Sequence, residues 1–326
     1  MRTDFHQLFQ GEWTLKNRII FQKSIPFGVL NPTSVYGHNS KGEVFIGGPR
    51  GSFKIDKKKD IIVPLIASGS VLLGNSIKEM NGIAKLLDDE NTSRTYSYLF
   101  NVAESPAEII HFHKILSKTT VTFLGCGGIG SISAYLLCGA GIKNIRIVEF
   151  DKIEKSNLNR QIFFTKKDIG KYKADVISES LHQRFDDLNI EVIKNKISPQ
   201  NVLKYIKKSD ALFITADDPL GIEAKAQLIA QKFDIPVISC GYFGSDSMLF
   251  LNKKKKDLLQ SEKISFSRME TSIMPSFGPT NSEVAGLASS LLIHAIIGKV
   301  DYKNENVGFL WNNNSFPRNI IQYQNN

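Results

Sequence analysis

The glycine-rich segment GCGGIG at residues 125–130 constrains the fold of this chain more than any other feature of its sequence. It follows an apolar strand predicted over residues 119–124 and precedes a helix predicted to reach about Ala140. Glycines in such a turn let backbone amides approach a phosphate group at the positive end of the helix. The segment therefore predicts a nucleotide-binding turn. The glycines predicted to bind the nucleotide are Gly125, Gly127, Gly128 and Gly130.

Apolar runs and longer helical stretches alternate after this turn. Further strands are predicted over residues 144–150, 190–195, 211–216 and 236–240, and further helices near residues 168–185, 199–206 and 220–233. This alternation is typical of a parallel sheet with helices on both faces. We therefore expect an α/β fold with a doubly wound, Rossmann-like, mostly parallel sheet.

The alternation ends after a short strand at residues 248–251. The polar stretch 252–281 lacks periodicity, and a stretch of that length inside a compact domain is usually a functional loop or disordered. A helix is predicted after it. Its apolar residues run from Val284 to Ile296, its cap lies within residues 280–282, and Gly298 is its stop signal.

The pattern before about residue 90 is different. Short strands with glycine and lysine turns are predicted over residues 44–69, and a capped amphipathic helix over Ser76–Asp89. We interpret this part as a small winged-helix-like α+β domain that ends near residue 92. The predicted domains are therefore residues 1–92 and 93–326.

The net charge of +9 is concentrated in short lysine runs between apolar segments. The runs are Lys57–Lys59, Lys166–Lys167, Lys207–Lys208 and Lys253–Lys256. Such runs indicate solvated turns and loops, and attraction of an acidic peptide or nucleotide is the alternative. We expect no nucleic-acid partner.

The three cysteines, Cys126, Cys138 and Cys240, are widely spaced and lie in apolar or glycine-rich surroundings. They build neither a disulfide framework nor a four-cysteine zinc site.

No window of the sequence approaches the roughly 20 apolar residues that would span a bilayer. The sequence therefore predicts a cytoplasmic protein with no membrane partner.

Polar residues suited to ATP follow the second strand, in EFDKIEKSNLNRQ at residues 149–161 and DIGKYK at residues 168–173. Glu149 has the spacing expected of a carboxylate that binds ribose hydroxyls. Arginine offers a planar fork to phosphate oxygens, and lysine is a mobile charge that can follow a leaving pyrophosphate. The residues suited to a triphosphate are Asn157, Arg160, Gln161 and Lys173.

Asp217 is predicted at the carboxyl edge of the sheet, where it could hold Mg²⁺ beside the phosphates. A nicotinamide dehydrogenase needs no such cluster of cationic donors, although the glycine turn alone would favour one. Together these residues predict attack of a carboxylate on the α-phosphate of ATP.

The segments GCGGIG, IVEFDKIEKSNLNRQ, DIGKYKA and ITADD resemble the adenylating domain of the ThiF, MoeB and ubiquitin-activating-enzyme superfamily, over roughly residues 94–298. The resemblance implies that Glu149 binds ribose, that Asp151 is the second acid of that turn and that Asp217 is associated with magnesium. It implies a phosphate-contacting set of Asn157, Arg160, Gln161 and Lys173. It also implies a homodimer in which Arg94 reaches the nucleotide of the other subunit.

Departures from the family pattern indicate which subfamily the chain resembles. Glu149 stands where aspartate is usual, and the two CxxC pairs that hold structural zinc in many relatives are missing, so no structural zinc is expected. No cysteine is placed obviously for sulfur relay or carrier transfer. The added N-terminal domain resembles the leader-peptide binder of peptide-modifying members, namely microcin C-type peptide adenylyltransferases and pantocin-forming cyclases. A structural or oligomerisation role is the alternative for this domain.

The leading hypothesis is an ATP- and Mg²⁺-dependent enzyme that forms an acyl-adenylate on a carboxylate of a ribosomally made precursor peptide and releases pyrophosphate. The product is a cyclised, dehydrated or nucleotidylated peptide in antibiotic biosynthesis. The predicted catalytic residues are Arg160, Lys173, Asp217 and Arg94. The alternatives are adenylation of a ubiquitin-like sulfur-carrier protein, a binding regulator that retains a nucleotide domain, and a dehydrogenase.

Overall fold

The computed structural model describes residues 8–56, 60–253, 275–303 and 307–323, together with residues 258, 269, 271 and 273. The chain forms two compact units, Met1–Lys114 and Ile115–Asn326. The sequence predicts that residues 1–92 recognise a substrate and that residues 93–326 bind ATP. This division of function stays a prediction. The predicted loop 252–281 lies largely outside the described residues.

The first unit contains two small antiparallel sheets, with strand orders β1-β2-β3-β7 and β4-β5-β6. The strands are β1 (Trp13–Lys16), β2 (Ile19–Gln22), β3 (Ile25–Leu30), β4 (Val35–His38), β5 (Val44–Gly48), β6 (Gly51–Ile55) and β7 (Val71–Leu73). The helices that begin in this unit are α1 (Ile62–Ala67), α2 (Ile77–Asp88), α3 (Ser93–Leu99) and α4 (Pro106–Lys118).

A core of branched aliphatic side chains holds the first unit together, with Ile20, Ile46 and Leu65 fully buried. Burial of such a side chain contributes about 1.5–3 kcal/mol. The predicted amphipathic helix is confirmed as α2, since the hydroxyl oxygen of its N-cap Ser76 accepts a hydrogen bond from the Glu79 backbone N–H. Its apolar side is buried at Met80, Ile83, Ala84 and Leu87.

The strands predicted over residues 44–69 are confirmed only as far as Ile55, because Ile62–Ala67 forms α1. The Asp60 carboxylate accepts a hydrogen bond from the Ile62 N–H at 3.0 Å, which satisfies a donor of the first turn. Pro64 lies in that same turn, where a missing N–H costs little. The apolar run was too short for periodicity to distinguish helix from strand.

The second unit is built on an eight-stranded sheet with the order β10-β9-β8-β11-β12-β13-β14-β15. Its strands are β8 (Thr120–Leu124), β9 (Asn144–Val148), β10 (Asn189–Ile193), β11 (Ala211–Ile214), β12 (Val237–Phe243), β13 (Asp246–Leu251), β14 (Val307–Asn312) and β15 (Ile321–Tyr323). Neighbouring strands from β10 to β12 pair in parallel, and those from β12 to β15 pair antiparallel.

Helices connect the parallel strands of this sheet. They are α5 (Gly128–Gly139), α6 (Lys173–His182), α7 (Val202–Ile206) and α8 (Ile222–Ala230), followed by α9 (Gly278–Ile296) after β13. Strand β11 is apolar and buried along its whole length, and the rings of Phe123 in β8 and Phe213 in β11 stack with centroids 5.1 Å apart. The fold class is confirmed: a small winged-helix-like α+β unit with antiparallel strands precedes a Rossmann-like, mostly parallel sheet.

Two helices begin at different residues from those predicted. α6 begins at Lys173, because a capping box between Thr165 and Asp168 closes a separate 3-10 turn and Gly170 has φ +90°. α9 begins at Gly278, two residues before its predicted cap. Its predicted stop is confirmed, since Gly298 has φ +77°.

The lysine runs that the structure describes agree with the solvated interpretation. Lys166, Lys167, Lys207 and Lys208 are exposed at the ends of short helices. Lys253 differs, because its ammonium lies 3.3 Å from the Glu223 carboxylate. The run Lys57–Lys59 and the rest of the run at 253–256 lie outside the described residues. Among the described residues, no helix combines the length and the apolar character that crossing a membrane requires.

Candidate functional site

The glycine-rich turn joins β8 to α5 and leaves no room for a Cβ at Gly125 or Gly130. Gly125 has φ +84°, and a Cβ there would lie 2.8 Å from the Ala216 backbone nitrogen. A Cβ at Gly130 would lie 2.7 Å from the Gly125 carbonyl oxygen and 2.9 Å from Thr215 Oγ1. Gly127 caps α5, whose positive end therefore faces the turn. The first N–H groups of a helix have no intrahelical acceptor, so this end of α5 can bind an anion such as a phosphate.

Glu149 follows β9 and its carboxylate is buried against the glycine turn. Its Oε2 accepts a hydrogen bond from the Cys126 N–H, and its Oε1 accepts one from the Asp151 N–H, both at 2.9 Å. A carboxylate has about four acceptor positions, so two remain for other donors. The structure thus gives Glu149 a role in joining the turn to the end of β9, and its predicted contact with ribose stays a prediction.

Lys173 and Asp151 form an ion pair beside this carboxylate. Lys173 Nζ lies 2.8 Å from Asp151 Oδ2, and the Lys173 side chain is only 9% exposed, against 46% for Asp151. The Lys173 backbone N–H also donates to the Asp151 carbonyl at 2.9 Å. These bonds hold a buried ammonium group on Asp151, whose own N–H donates to Glu149, and Asp151 leaves part of its carboxylate accessible to solvent.

Asn157, Arg160 and Gln161 lie together in the segment after Glu149. Asn157 Oδ1 accepts a hydrogen bond from the Glu154 N–H at 2.9 Å, and the Gln161 N–H donates to the Asn157 carbonyl. The Arg160 guanidinium donates to the Ser156 carbonyl at 2.6 Å and keeps donors for other acceptors. The segment is therefore ordered by its own hydrogen bonds.

Gln161 is the side chain of this segment that is oriented toward the glycine turn. It is 3% exposed, and its Nε2 would lie 3.9 Å from a Cβ at Gly127. Its Oε1 is buried and has no hydrogen-bond partner. An unpaired buried acceptor costs about 1–3 kcal/mol, so a bound ligand with a donor group would restore a lost interaction.

Asp217 lies at the carboxyl edge of the sheet, as predicted, three residues after the end of β11. β11 pairs with β8 up to Ile214 and Leu124, so the residues that follow the two strands share one edge. Asp217 is exposed there. Asp218 does not cap α8, whose N-cap is Gly221, and instead pairs with Lys196 at 2.8 Å.

Arg94 lies on α3 of the first unit and is exposed. Its predicted reach to the nucleotide of another subunit stays a prediction. In the described part of the chain, no group of three or more histidine, cysteine or acidic side chains could hold a metal ion by itself. A Mg²⁺ ion at Asp217 would therefore take most of its ligands from phosphate oxygens and water, as this ion commonly does.

Two polar residues of this site were not predicted from the sequence, namely Asn281, which lies against the turn, and Tyr242, which contacts Asn281. Asn281, in the first turn of α9, is 2% exposed, and its Nδ2 would lie 2.2 Å from a Cβ at Gly128. Tyr242, in β12, donates its hydroxyl proton to Asn281 Oδ1 at 2.9 Å. Both come from outside the matched motifs. The sequence signal for Asn281 was a polar residue at the start of an apolar helix. We interpreted that residue as part of the helix cap.

Cys126 and Cys138 are buried, Cys240 is partly buried, and all three thiols are protonated at neutral pH. Burial raises the pKa of the Cys126 thiol well above its usual value, and the Glu149 carboxylate raises it further. Burial raises the pKa of Cys138 to about 12 and also raises that of Cys240. A protonated thiol is a poor nucleophile, so a covalent relay through these cysteines is disfavoured.

The site combines a turn that fits phosphate, a buried cation and an unpaired acceptor at one edge of the sheet. The sequence model of the ThiF family matches residues 104–325 of this chain.

Curated relatives match a shorter part of the chain. The tRNA threonylcarbamoyladenosine dehydratase of Escherichia coli is 29% identical over 133 residues, which are 40% of this chain and 49% of that protein. The sulfur carrier protein adenylyltransferase of Thermus thermophilus is 29% identical over 103 residues, which are 32% of this chain and 38% of that protein. The chain thus spans about half or less of the length of these relatives.

Solved structures match over both units. The crystal structure of Escherichia coli MccB with AMPCPP and MccA superposes with a TM-score of 0.66 at 19% identity, over 91% of this chain and 96% of that one. The crystal structure of PaaA superposes with a TM-score of 0.62 at 20% identity, over 89% and 98%. At these identities the likeness concerns the fold.

Proposed function

Since the chain belongs to the ThiF family, we propose that it uses ATP to adenylate a carboxyl group of a small precursor peptide. The observation that carries the proposal is the glycine turn with Glu149, Lys173 and Gln161 around it. The glycine turn binds the phosphates, Glu149 binds the ribose, and the buried ammonium group of Lys173 stabilises negative charge. The remaining predicted residues, Asp151, Asn157, Arg160 and Asp217, complete the nucleotide site.

In the proposed reaction, an oxygen of the peptide carboxylate attacks the α-phosphorus of ATP. The bond from that phosphorus to the oxygen bridging it to the β-phosphate breaks, and the electron pair leaves with pyrophosphate. An ionised carboxylate needs no general base, so the protein contributes positioning and charge. Lys173 and Arg160 stabilise the charge that grows on the leaving group.

Mg²⁺, when bound, neutralises phosphate charge. Asp217 would hold it from the end of β11, at the same sheet edge as the glycine turn. A single carboxylate is enough where phosphates supply the other ligands. We therefore assign Asp217 the metal-binding role and expect the site to form only with the nucleotide.

The proposal of a peptide substrate is supported by likeness across the first unit as well as the second. MccB is named in its structures as a microcin C7 biosynthetic enzyme, and its complexes contain ATP, AMPCPP or MccA. The first unit of this chain offers exposed strand edges, such as β4 with its exposed Val35, to which an extended peptide could add. The activated peptide would then be cyclised, dehydrated or nucleotidylated in antibiotic biosynthesis.

A second candidate is adenylation of the C-terminus of a sulfur-carrier protein. The relative from Thermus thermophilus favours it, because that protein is named as a sulfur carrier protein adenylyltransferase. The protonated thiols disfavour any later relay of sulfur through the chain. Adenylation itself needs no thiol, so the two candidates must be distinguished by substrate.

Pyrophosphate release from ATP tests the proposal. The full chain is incubated with ATP, Mg²⁺ and short peptides encoded beside its gene, and in parallel with a ubiquitin-like carrier that ends in Gly-Gly. We expect a peptide to stimulate release, and Arg160→Ala and Asp217→Ala to reduce it at least tenfold. Arg184→Ala is the matched control, since that exposed arginine lies on the surface after α6. Stimulation by the carrier alone would replace the first candidate by the second.

A further inference from the structure

The Asn281 side-chain amide is a buried donor with no partner. Its Oδ1 accepts the hydroxyl proton of Tyr242 at 2.9 Å. Its Nδ2 has no hydrogen-bond partner, although the residue is 2% exposed. Such a group loses its interaction with water and gains nothing in exchange. The amide therefore needs an acceptor that the chain itself does not supply.

The orientation of the amide agrees with the bonds around Tyr242. The tyrosine oxygen accepts a hydrogen bond from the Phe277 N–H at 2.9 Å. Its own proton is then free to be donated, either to Asn281 Oδ1 or to Ser276 Oγ at 3.1 Å. With the amide oxygen toward this proton donor, its NH₂ group must lie on the other side.

The other side is the glycine turn. A Cβ at Gly128 would lie 2.2 Å from Asn281 Nδ2, so the NH₂ group packs directly against the first residue of α5. The first turn of α9 also lies against the nucleotide-binding segment, since a Cβ at Gly278 would lie 3.4 Å from the Asn159 carbonyl. The positive ends of two helices, α5 and α9, thus meet around this amide.

We propose that Asn281 donates a hydrogen bond to a non-bridging phosphate oxygen of the nucleotide bound at the turn, and that Tyr242 positions it. This inference rests on the proposed function, because it needs ATP as the ligand. An anion is favoured over a neutral group because backbone N–H groups, two helix N-termini and the NH₂ group all converge on the same place. Asn281 is thus a phosphate ligand and Tyr242 a positioning residue.

Isothermal titration of the full chain with ATP, AMP and adenosine tests the assignment. Asn281→Asp replaces the donor with a carboxylate of the same shape, and we expect it to weaken ATP binding about 10- to 100-fold. Adenosine has no phosphate, so its affinity should change less than about twofold. Tyr242→Phe should weaken ATP binding less than Asn281→Asp does. Ser282→Ala, on an exposed side of the same helix, should leave every affinity unchanged.

A second measurement keeps the inference testable if a variant fails to fold. In ¹⁵N-labelled wild-type protein, the side-chain amide resonance of Asn281 should shift with ATP and stay in place with adenosine. Equal losses for ATP and adenosine in Asn281→Asp, or an amide resonance that ignores ATP, would overturn the inference. A wild-type chain that binds no ATP would instead overturn the proposed function, so the two failures are distinguishable.

Discussion

At the residue scale, Lys173 is a buried charged group that is held by a single partner residue. Its ammonium is buried and bonded to Asp151, and its backbone N–H is bonded to the same residue. A buried lysine is costly unless it is paired, and the half-exposed Asp151 provides that pairing. The pair thus holds a positive charge in place before any nucleotide arrives.

Lys173→Met should remove this charge while keeping the length of the side chain. We expect pyrophosphate release to fall about 10- to 100-fold, because a hydrogen bond to a charged group contributes about 1.5–3 kcal/mol. The assay is pyrophosphate release at saturating and at limiting ATP. The matched control is Lys171→Met, since Lys171 is exposed and pairs with Asp168 at 2.8 Å. Equal losses in both variants would contradict a specific role for Lys173.

The cysteines allow a prediction about reactivity and pH. Since burial raises the pKa values of all three thiols, they stay protonated at pH 8, and only the thiolate reacts quickly with iodoacetamide. We expect labelling of the native chain to be slow at pH 8 and to accelerate as the pH rises toward about 12 for Cys138. Mass spectrometry checks this, with the urea-unfolded chain as control. Rapid native labelling of Cys126 would contradict it.

Glu149 illustrates how far individual residues could be predicted. Its spacing from the turn predicted a ribose ligand, and the same spacing places it after β9 in the structure. The spacing could not indicate that Glu149 bonds to the Cys126 N–H, because this contact forms only when β8 and β9 pair. Asn281 could not be predicted at all from the motifs, since β12 and α9 bring Tyr242 and Asn281 to the turn from far along the chain.

At the element scale, α5 should reject an added methyl group near its N-terminus, at Gly130, and tolerate one at its C-terminus, at Gly139. A Cβ at Gly130 would overlap the Gly125 carbonyl and Thr215 Oγ1. Gly130→Ala should therefore push the turn away from β11 and destabilise the chain by about 1–3 kcal/mol, as overpacked sites do. We expect ATP binding to be lost in parallel. Thermal melting and ATP titration measure the two effects.

Gly139→Ala is the control in the same helix. A Cβ there would lie 3.7 Å from the Phe185 ring, which is an ordinary contact. Alanine is also a better helix former than glycine by about 1 kcal/mol. The variant should be as stable as the wild type or more stable, with ATP binding intact. Loss of binding in Gly139→Ala would show that α5 is sensitive to any substitution.

Element types were more predictable than element boundaries. The parallel strands β8 to β12 and their helices follow a local alternation that the sequence displays directly. The starts of α6 and α9 depend on turns and contacts outside the helix, such as the Thr165–Asp168 capping box and the Phe277–Tyr242 bond. Periodicity carries no information about these partners, so the predicted starts were displaced by several residues.

At the scale of the whole molecule, the predicted membership of the ThiF superfamily is confirmed by the family match over residues 104–325. The fold class was predictable because the parallel strands and their connecting helices have sequence signatures of their own. The antiparallel strand β14 was less predictable, since it pairs with β13, which precedes α9. Pairing over such separations leaves no local pattern.

The predicted homodimer has a direct test in mixed subunits. If Arg94 acts on the site of the partner subunit, each active site combines Lys173 of one subunit with Arg94 of the other. Arg94→Ala and Lys173→Met then damage a site from different subunits. Subunit exchange between the two inactive variants then creates mixed dimers with one intact site, and about a quarter of wild-type pyrophosphate release should return. Each variant alone, carried through the same exchange, is the control. A mixture that stays inactive would place Arg94 outside the site of the partner.

The close approach of Gly128 and Asn281 has a consequence for how this chain can evolve. A side chain at position 128 and an amide at position 281 compete for the same space, so position 128 cannot accept a side chain while the amide stays in place. The residues at the two positions should therefore change together in evolution, although they lie in different helices. Homologues that carry a larger residue at 128 should have lost the amide at 281, and any attempt to redesign nucleotide preference should vary the pair together.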